Sequence, residues 1–292
     1  MAFLKRQKNL VVRDWKENKI TLVQYPRAAV IPSISPWSLK METWLRFVQL
    51  DYTASFCLPF NVSNDFQQAS TKGQVPFVEV NGRQIADSNF IIDQLKTMFN
   101  LSIDRDLEPR PGRQRTRLPR AHRRESAAFF HRSKDMSWLV TDKGVLGHFQ
   151  GIKKTVFEKL IVKKAQHNIK NICNVQGIGR HSGAEVDEIA KKDLNALSHL
   201  LGDKHYFFGE YPSTLDATAF GTLAEILYTP LKGTLIKDYL VNSTPNLVQL
   251  IERIKANFWP DWDILTSKLV MNRHEAELPH SEPAAAPAAT TA

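Results

Sequence analysis

Four places in the chain combine residue types and spacings that could do chemistry. Ser35-Pro36-Trp37-Ser38 sets a hydroxyl directly ahead of a proline. Ser35 is a natural N-cap, and Pro36 suits the first helical position, where its missing N–H costs nothing. The free N–H groups and dipole of such a helix end favour an anion, a thiolate included. Both hydroxyl positions are serine, which forms no disulfide and is far too weakly acidic to ionise without a base. Redox chemistry is therefore excluded at this point. Val75-Pro76 interrupts an apolar strand pattern; a proline donates nothing to a ladder, so it must sit at an edge, a bulge or a cis bend. Asp87-Ser88 opens a second helix, which Asp87 can cap. Ser213-Thr-Leu-Asp216 has the spacing of a capping box.

Other chemistries find no support. The nine histidines show no H-x-x-x-H or other metal spacing, so no metal is expected. No G-x-S-x-G elbow occurs. Gly177-x-Gly179 follows no strand and lacks the third glycine of a dinucleotide fingerprint. Arg180 and His181 beside it read as loop or packing residues. Cys57 and Cys173 are far apart with no C-x-x-C, which fits a reducing compartment and excludes a disulfide framework. The N-terminus is basic but has no apolar signal core, and no run of 18 apolar residues occurs.

The elements that must hold these positions follow from periodicity. Residues 20–24 read as a short strand bounded by Tyr25-Pro26. After Ser35, the residues Trp37, Met41, Trp44, Leu45 and Val48 form one stripe of an amphipathic helix. Residues 52–56 suggest a second strand and 74–80 a third. Asn81-Gly82 is a two-residue hairpin turn into Arg83-Gln84-Ile85. The helix from Asp87 and Ser88 points Ile91, Ile92, Leu95, Met98 and Phe99 inward. The order β, α, β, hairpin, α is the α/β layout of a thioredoxin-like domain. The second half reads as all-α. Helices are expected over 152–173, from the Ser182…Glu185 capping box to a stop at Gly202, from Ser213 to Pro230, and last from Thr244-Pro245.

The net charge of +9 invites a nucleic-acid partner, but its placement argues against one. Residues 105–134 carry ten Lys/Arg against three Asp/Glu, and residues 1–19 carry six against two. The rest of the chain is slightly acidic. A nucleic-acid domain carries its charge on a folded face with aromatic residues between the charges.

Three segments together carry a family resemblance: Pro32 to Leu45; Lys72 to Ile92; and Gly177-Ile-Gly-Arg-His-Ser182 with Leu201 to Lys204, Ser213 to Gly221 and Phe258-Trp-Pro-Asp-Trp262. They resemble the failed axon connections family, which is related to metaxins and glutathione S-transferases. The first two alone indicate only a glutathione-transferase-like fold; the third is specific to this family. The resemblance implies a thioredoxin-like N-terminal domain followed by an all-helical C-terminal domain. The expected divisions are a basic tail at 1–18, the first domain at 19–104, an atypical basic segment at 105–135, the helical domain at 136–270 and a low-complexity tail at 271–292.

The resemblance also implies roles. Ser35 stands where thioredoxin-like proteins carry a cysteine, and as in serine-type transferases it would donate a hydrogen bond to a glutathione thiolate. The backbone of Val75, before the cis-proline position Pro76, would pair with the cysteinyl part of glutathione. Asp87 and Ser88 would hold its γ-glutamyl end. Each of these residues also has a sufficient structural role, so glutathione stays an open cofactor. Ser213 and Asp216 are expected to be a structural cap. The implied function is a non-catalytic, cytoplasmic role in axon development through protein or membrane-surface contacts, with a homodimer and peripheral membrane association open. The alternative is a glutathione-dependent transferase conjugating small electrophiles. Residues 108–125, with three prolines and few apolar residues, cannot be the long amphipathic helix the family places there. A genuine basic loop and a shifted reading frame are the two accounts, and the abrupt change of composition at both edges favours the second.

Overall fold

The computed structural model describes residues 10–56, 70, 75–104, 177–230 and 235–267, together with single positions and short stretches between 141 and 175. Strands β1 (Ile20–Gln24), β2 (Tyr52–Phe56), β3 (Phe77–Val80) and β4 (Arg83–Ala86) form one sheet in the order β2-β1-β3-β4. β1 and β2 are parallel and joined through helix α1 (Pro36–Phe47), a crossover; the other pairs are antiparallel. Helix α2 (Ser88–Met98) follows β4 directly.

Side-chain alternation decides what each sheet face meets. Leu22, Val78 and Ile85 share a cross-strand row and pack with Met41, Trp44, Leu45, Ile91, Ile92 and Leu95. Val23, Phe77 and Ala86 face the other way, against Val11 and Val75. The third strand is shorter than the sequence pattern suggests. Its ladder starts at Phe77, just after Pro76, the residue with no N–H to give.

Beyond residue 177 the described chain is helical: α3 (Gly183–Leu201), α4 (Thr214–Tyr228), α5 (Leu235–Ser243), α6 (Pro245–Phe258) and α7 (Trp262–Ser267). Ser182 and Glu185 close the capping box of α3, and Gly202 ends it with φ of 54°. Gly177, also left-handed, opens a single 3₁₀ turn, Ile178–Arg180, so this pair of glycines shapes a loop. Leu194, Leu197, Phe220, Leu223, Leu250, Ile251 and Ile254 form the centre of the helical core, and Cys173 lies within it. This is the expected architecture, a small mixed sheet with helices followed by an all-helical part.

Three expectations are corrected. α1 is not buried along one stripe: Ser38, Lys40, Glu42 and Thr43 are buried as well, because α1 lies between the sheet and α4. Met98 does not point inward and is 37% exposed, at the last residue of α2. The helix from Pro245 is neither the last nor next after α4; α5 and α7 are additional. α5 buries only Ile236 and Leu240, and α7 is six residues long, so neither leaves a readable period. Cys57, most of the expected 152–173 helix, the segment 105–135 and the tail from 271 lie outside the described residues.

Candidate functional site

Strand register gathers three of the candidate positions at one end of the sheet. Val23, next to the last residue of β1, pairs with Phe77, the first residue of β3. Phe77 in turn pairs with Ala86, the last residue of β4. The loop from β1 to Ser35, the Val75-Pro76 bond and the Asp87-Ser88 start of α2 therefore emerge at the same sheet end. Val75-Pro76 is cis.

At the first helix end, Ser35 is buried, and its Oγ accepts from Ser38 N at 3.3 Å, a capping bond. Ser33 Oγ accepts from Ser35 N at 3.3 Å. Ser38 Oγ is buried with no hydrogen-bond partner among the described residues. At the second helix end, Asp87 has φ of 83° and ψ of 121°, a strained backbone for a residue with a Cβ. Its Oδ1 accepts from Asn89 N at 3.0 Å and from Phe90 N at 3.4 Å. Lys40 Nζ donates to Asn89 Oδ1 at 2.8 Å, tying the side of α1 to the first turn of α2. Chemically, the place offers two helix N-termini, a hydroxyl and a carboxylate. It can hold an anion or an amino-acid-like end group. No group of three or more His, Cys, Asp or Glu residues able to hold a metal occurs among the described residues.

Ser213 and Asp216 lie elsewhere, at the start of α4 beside the C-terminal half of α1. Asp216 accepts from Phe207 N at 2.9 Å, Ser213 N at 2.8 Å and Ser213 Oγ at 2.6 Å. Burial pushes its carboxyl up against the pull of those hydrogen bonds. Its work is to fix the helix start.

Sequence reasoning missed a buried ionic cluster one helical turn from Ser38. Glu42 accepts from Arg27 Nη1 at 2.6 Å and Nη2 at 2.7 Å, from Gln24 Nε2 at 2.7 Å and from Tyr52 Oη at 3.0 Å. Burial alone would raise the Glu42 carboxyl, but Arg27, Arg46 and these hydrogen bonds outweigh it and hold it at about 2. Tyr52 is pushed well up, first by burial. The only trace in the sequence is an acid placed within an apolar stripe, at Glu42, and a surface glutamate would look the same.

Comparison with known proteins supplies the family. Residues 36–130 match the glutathione S-transferase N-terminal domain, and residues 190–254 match the glutathione S-transferase C-terminal domain. "Failed axon connections" of Drosophila melanogaster is 33% identical over 94% of this chain, which spans 66% of that protein's length. Isoprene-epoxide--glutathione S-transferase of a Rhodococcus strain is 29% identical over 82% of this chain and 99% of its own. Metaxin-2 of Mus musculus is 22% identical over 85% and 91%. With both domain matches and the family-specific segments in place, the chain belongs to the failed axon connections family, metaxin-related and built on the glutathione S-transferase fold.

Proposed function

We propose that this protein is a non-catalytic member of its family, a transferase fold used as a scaffold for contacts with proteins or a membrane surface in axon and neuronal development. The supporting observation is how Asp87 and Ser35 are used. The Asp87 carboxylate, which would receive the ammonium of a γ-glutamyl group, is turned onto the amides of its own helix at Asn89 and Phe90. The Ser35 hydroxyl likewise caps its own helix at Ser38. Any membrane contact on this reading is peripheral: among the described residues no helix is long and apolar enough to cross a membrane. Proteins are its partners, a homodimer stays open, and its place is the cytoplasm.

A second reading is favoured by the convergence of Ser35, Val75-Pro76 and Asp87-Ser88 on one sheet end, and by the Rhodococcus relative, a transferase by name. Here Ser35 steadies the thiolate of glutathione, the Val75 backbone pairs with its cysteinyl part, and Asp87 and Ser88 hold its γ-glutamyl end. Calorimetric titration with glutathione, followed by a conjugation assay with a generic aromatic electrophile, separates the two. The scaffold reading expects no saturable heat and no rate above buffer. A conjugation rate that disappears in Ser35→Ala overturns it.

A further inference from the structure

α4 carries a buried acid that neither reading uses. Glu225 is 2% exposed, and its Oε1 has no hydrogen-bond partner among the described residues. Contacts along the seam between α1 and α4 fix its place. Trp44 Nε1 donates to Thr214 Oγ1 at 3.0 Å, towards the C-terminal end of α1. Two turns on, Gly221 presses against the Pro36 carbonyl and the Lys40 amide, at the N-terminal end of α1. The two helices are therefore antiparallel. Glu225 is one further turn along the same face of α4, level with the loop that leads into Ser35. That loop is itself buried at Ile31, Ser33 and Ser35.

Among the described residues, the charged groups on α1, on the loop before it and on α6 have other engagements. From α1, Lys40 donates to Asn89, and Arg46 is paired with Asp261 and faces Glu42. From the loop before α1, Arg27 is bound to Glu42. From α6, Glu252 accepts from Tyr228 Oη, Arg253 donates to the His205 carbonyl, and Lys255 lies over the Tyr228 and Trp262 rings. From α5, Asp238 is exposed and Lys237 half-buried. A carboxylate at Glu225 loses its hydration and gains no hydrogen bond at Oε1 among the described residues, whereas a neutral acid loses far less. Burial is the cause that pushes this carboxyl well above the usual range.

We propose that Glu225 is held neutral in the α1–α4 seam, and that its ionisation loosens α4 from the loop carrying Ser35. The folded group titrates above its unfolded counterpart. Its favourable contribution is complete below about pH 4 and declines as pH rises, until the folded group itself ionises.

Thermal melts of the full chain test this in wild type, in Glu225→Gln, which keeps the shape of the neutral acid, and in Glu225→Met, which needs no hydrogen bond. The Tm gap between each variant and wild type should widen from about pH 5 to about pH 8 by at least ~3 °C. Amide exchange in residues 35–40 and 221–229, relative to intrinsic rates, should rise with pH in wild type and stay flat in the variants. A Tm gap independent of pH, or equal exchange in wild type and variants, overturns the proposal.

Discussion

Arg46 and Asp261, 215 positions apart, meet as a forked ion pair, with Nη1 2.6 Å from Oδ1 and Nη2 2.8 Å from Oδ2. The same guanidinium lies 3.9 Å from the centre of the Trp259 ring, and its Nη1 also donates to the Phe258 carbonyl at 3.0 Å. Its Nε donates to Tyr52 Oη at 2.9 Å. Trp259 returns the contact through Nε1, which donates to Thr43 Oγ1 at 3.2 Å. One side chain of α1 therefore holds β2 on one side and the turn between α6 and α7 on the other. Planarity, four of the five donors and a stacking face are in use, and lysine has none of these geometries.

Arg46→Lys should therefore cost about 2–3 kcal/mol, the scale of losing charge-assisted hydrogen bonds in a half-buried place. Lys19 and Asp51 also meet at 2.6 Å, but both are exposed, so Lys19→Ala should cost under ~1 kcal/mol. Urea unfolding of both variants checks the contrast. Equal losses would mean that the joint does not depend on the shape of the guanidinium.

The α/β-then-helical order was legible in the sequence because turns and caps announce it. Residues 20–24, the Asn81-Gly82 hairpin, the Ser182…Glu185 box and Gly202 all have purely local causes. The ends at Ser35 and Asp87 were legible for the same reason. What was not legible is where a third layer covers a helix. Burial of Lys40, Glu42 and Thr43 on α1 depends on α4, some 180 residues later, and no local pattern carries that. The Glu42 cluster was invisible because Gln24 and Arg27, Tyr52 and, through Arg46, Asp261 come from three separate segments.

Ser35→Ala should lower stability by about 1 kcal/mol, the ordinary value of an N-cap. Ser35→Asn or Ser35→Asp, which also cap, should recover most of the loss. On the scaffold reading nothing else changes. Guanidinium melts of the three variants give the comparison. A loss several times larger, unrelieved by Asn or Asp, would assign Ser35 more than the capping of α1.

Glu42 predicts the behaviour in acid. Its folded carboxyl titrates at about 2, below its unfolded value of about 4.5. The stabilisation it supplies is present above the unfolded value and is lost as pH falls through about 2. The full effect is on the order of 3 kcal/mol. Glu42→Gln leaves Arg27 buried without its anion and should cost about 3–5 kcal/mol near neutrality. The gap between wild type and variant should shrink steadily below about pH 4. Urea midpoints taken down to about pH 2 test this, and a gap that stays constant would mean that the buried pair contributes nothing through its charge.

Gly221 sets the closeness of α1 and α4, and here two effects oppose each other. In an isolated helix, alanine is better than glycine by about 1 kcal/mol, so Gly221→Ala should stabilise α4 by itself. A Cβ at this position, however, would overlap the Pro36 carbonyl oxygen and lie 3.0 Å from Lys40 N. Both are backbone atoms at the start of α1, which cannot swing aside as a side chain would. The helices must separate, and overpacking of this kind costs about 1–3 kcal/mol, with the contacts of Leu39 and Trp44 to α4 weakened in addition. The clash should win, giving a net loss of about 1–2 kcal/mol and a lower Tm. The hydrogen bond from Trp44 to Thr214 gives an independent reading, since its indole N–H should exchange faster in the variant. If Gly221→Ala raises the Tm, helix propensity has won, and the seam is looser than the contact between Gly221 and Pro36 implies.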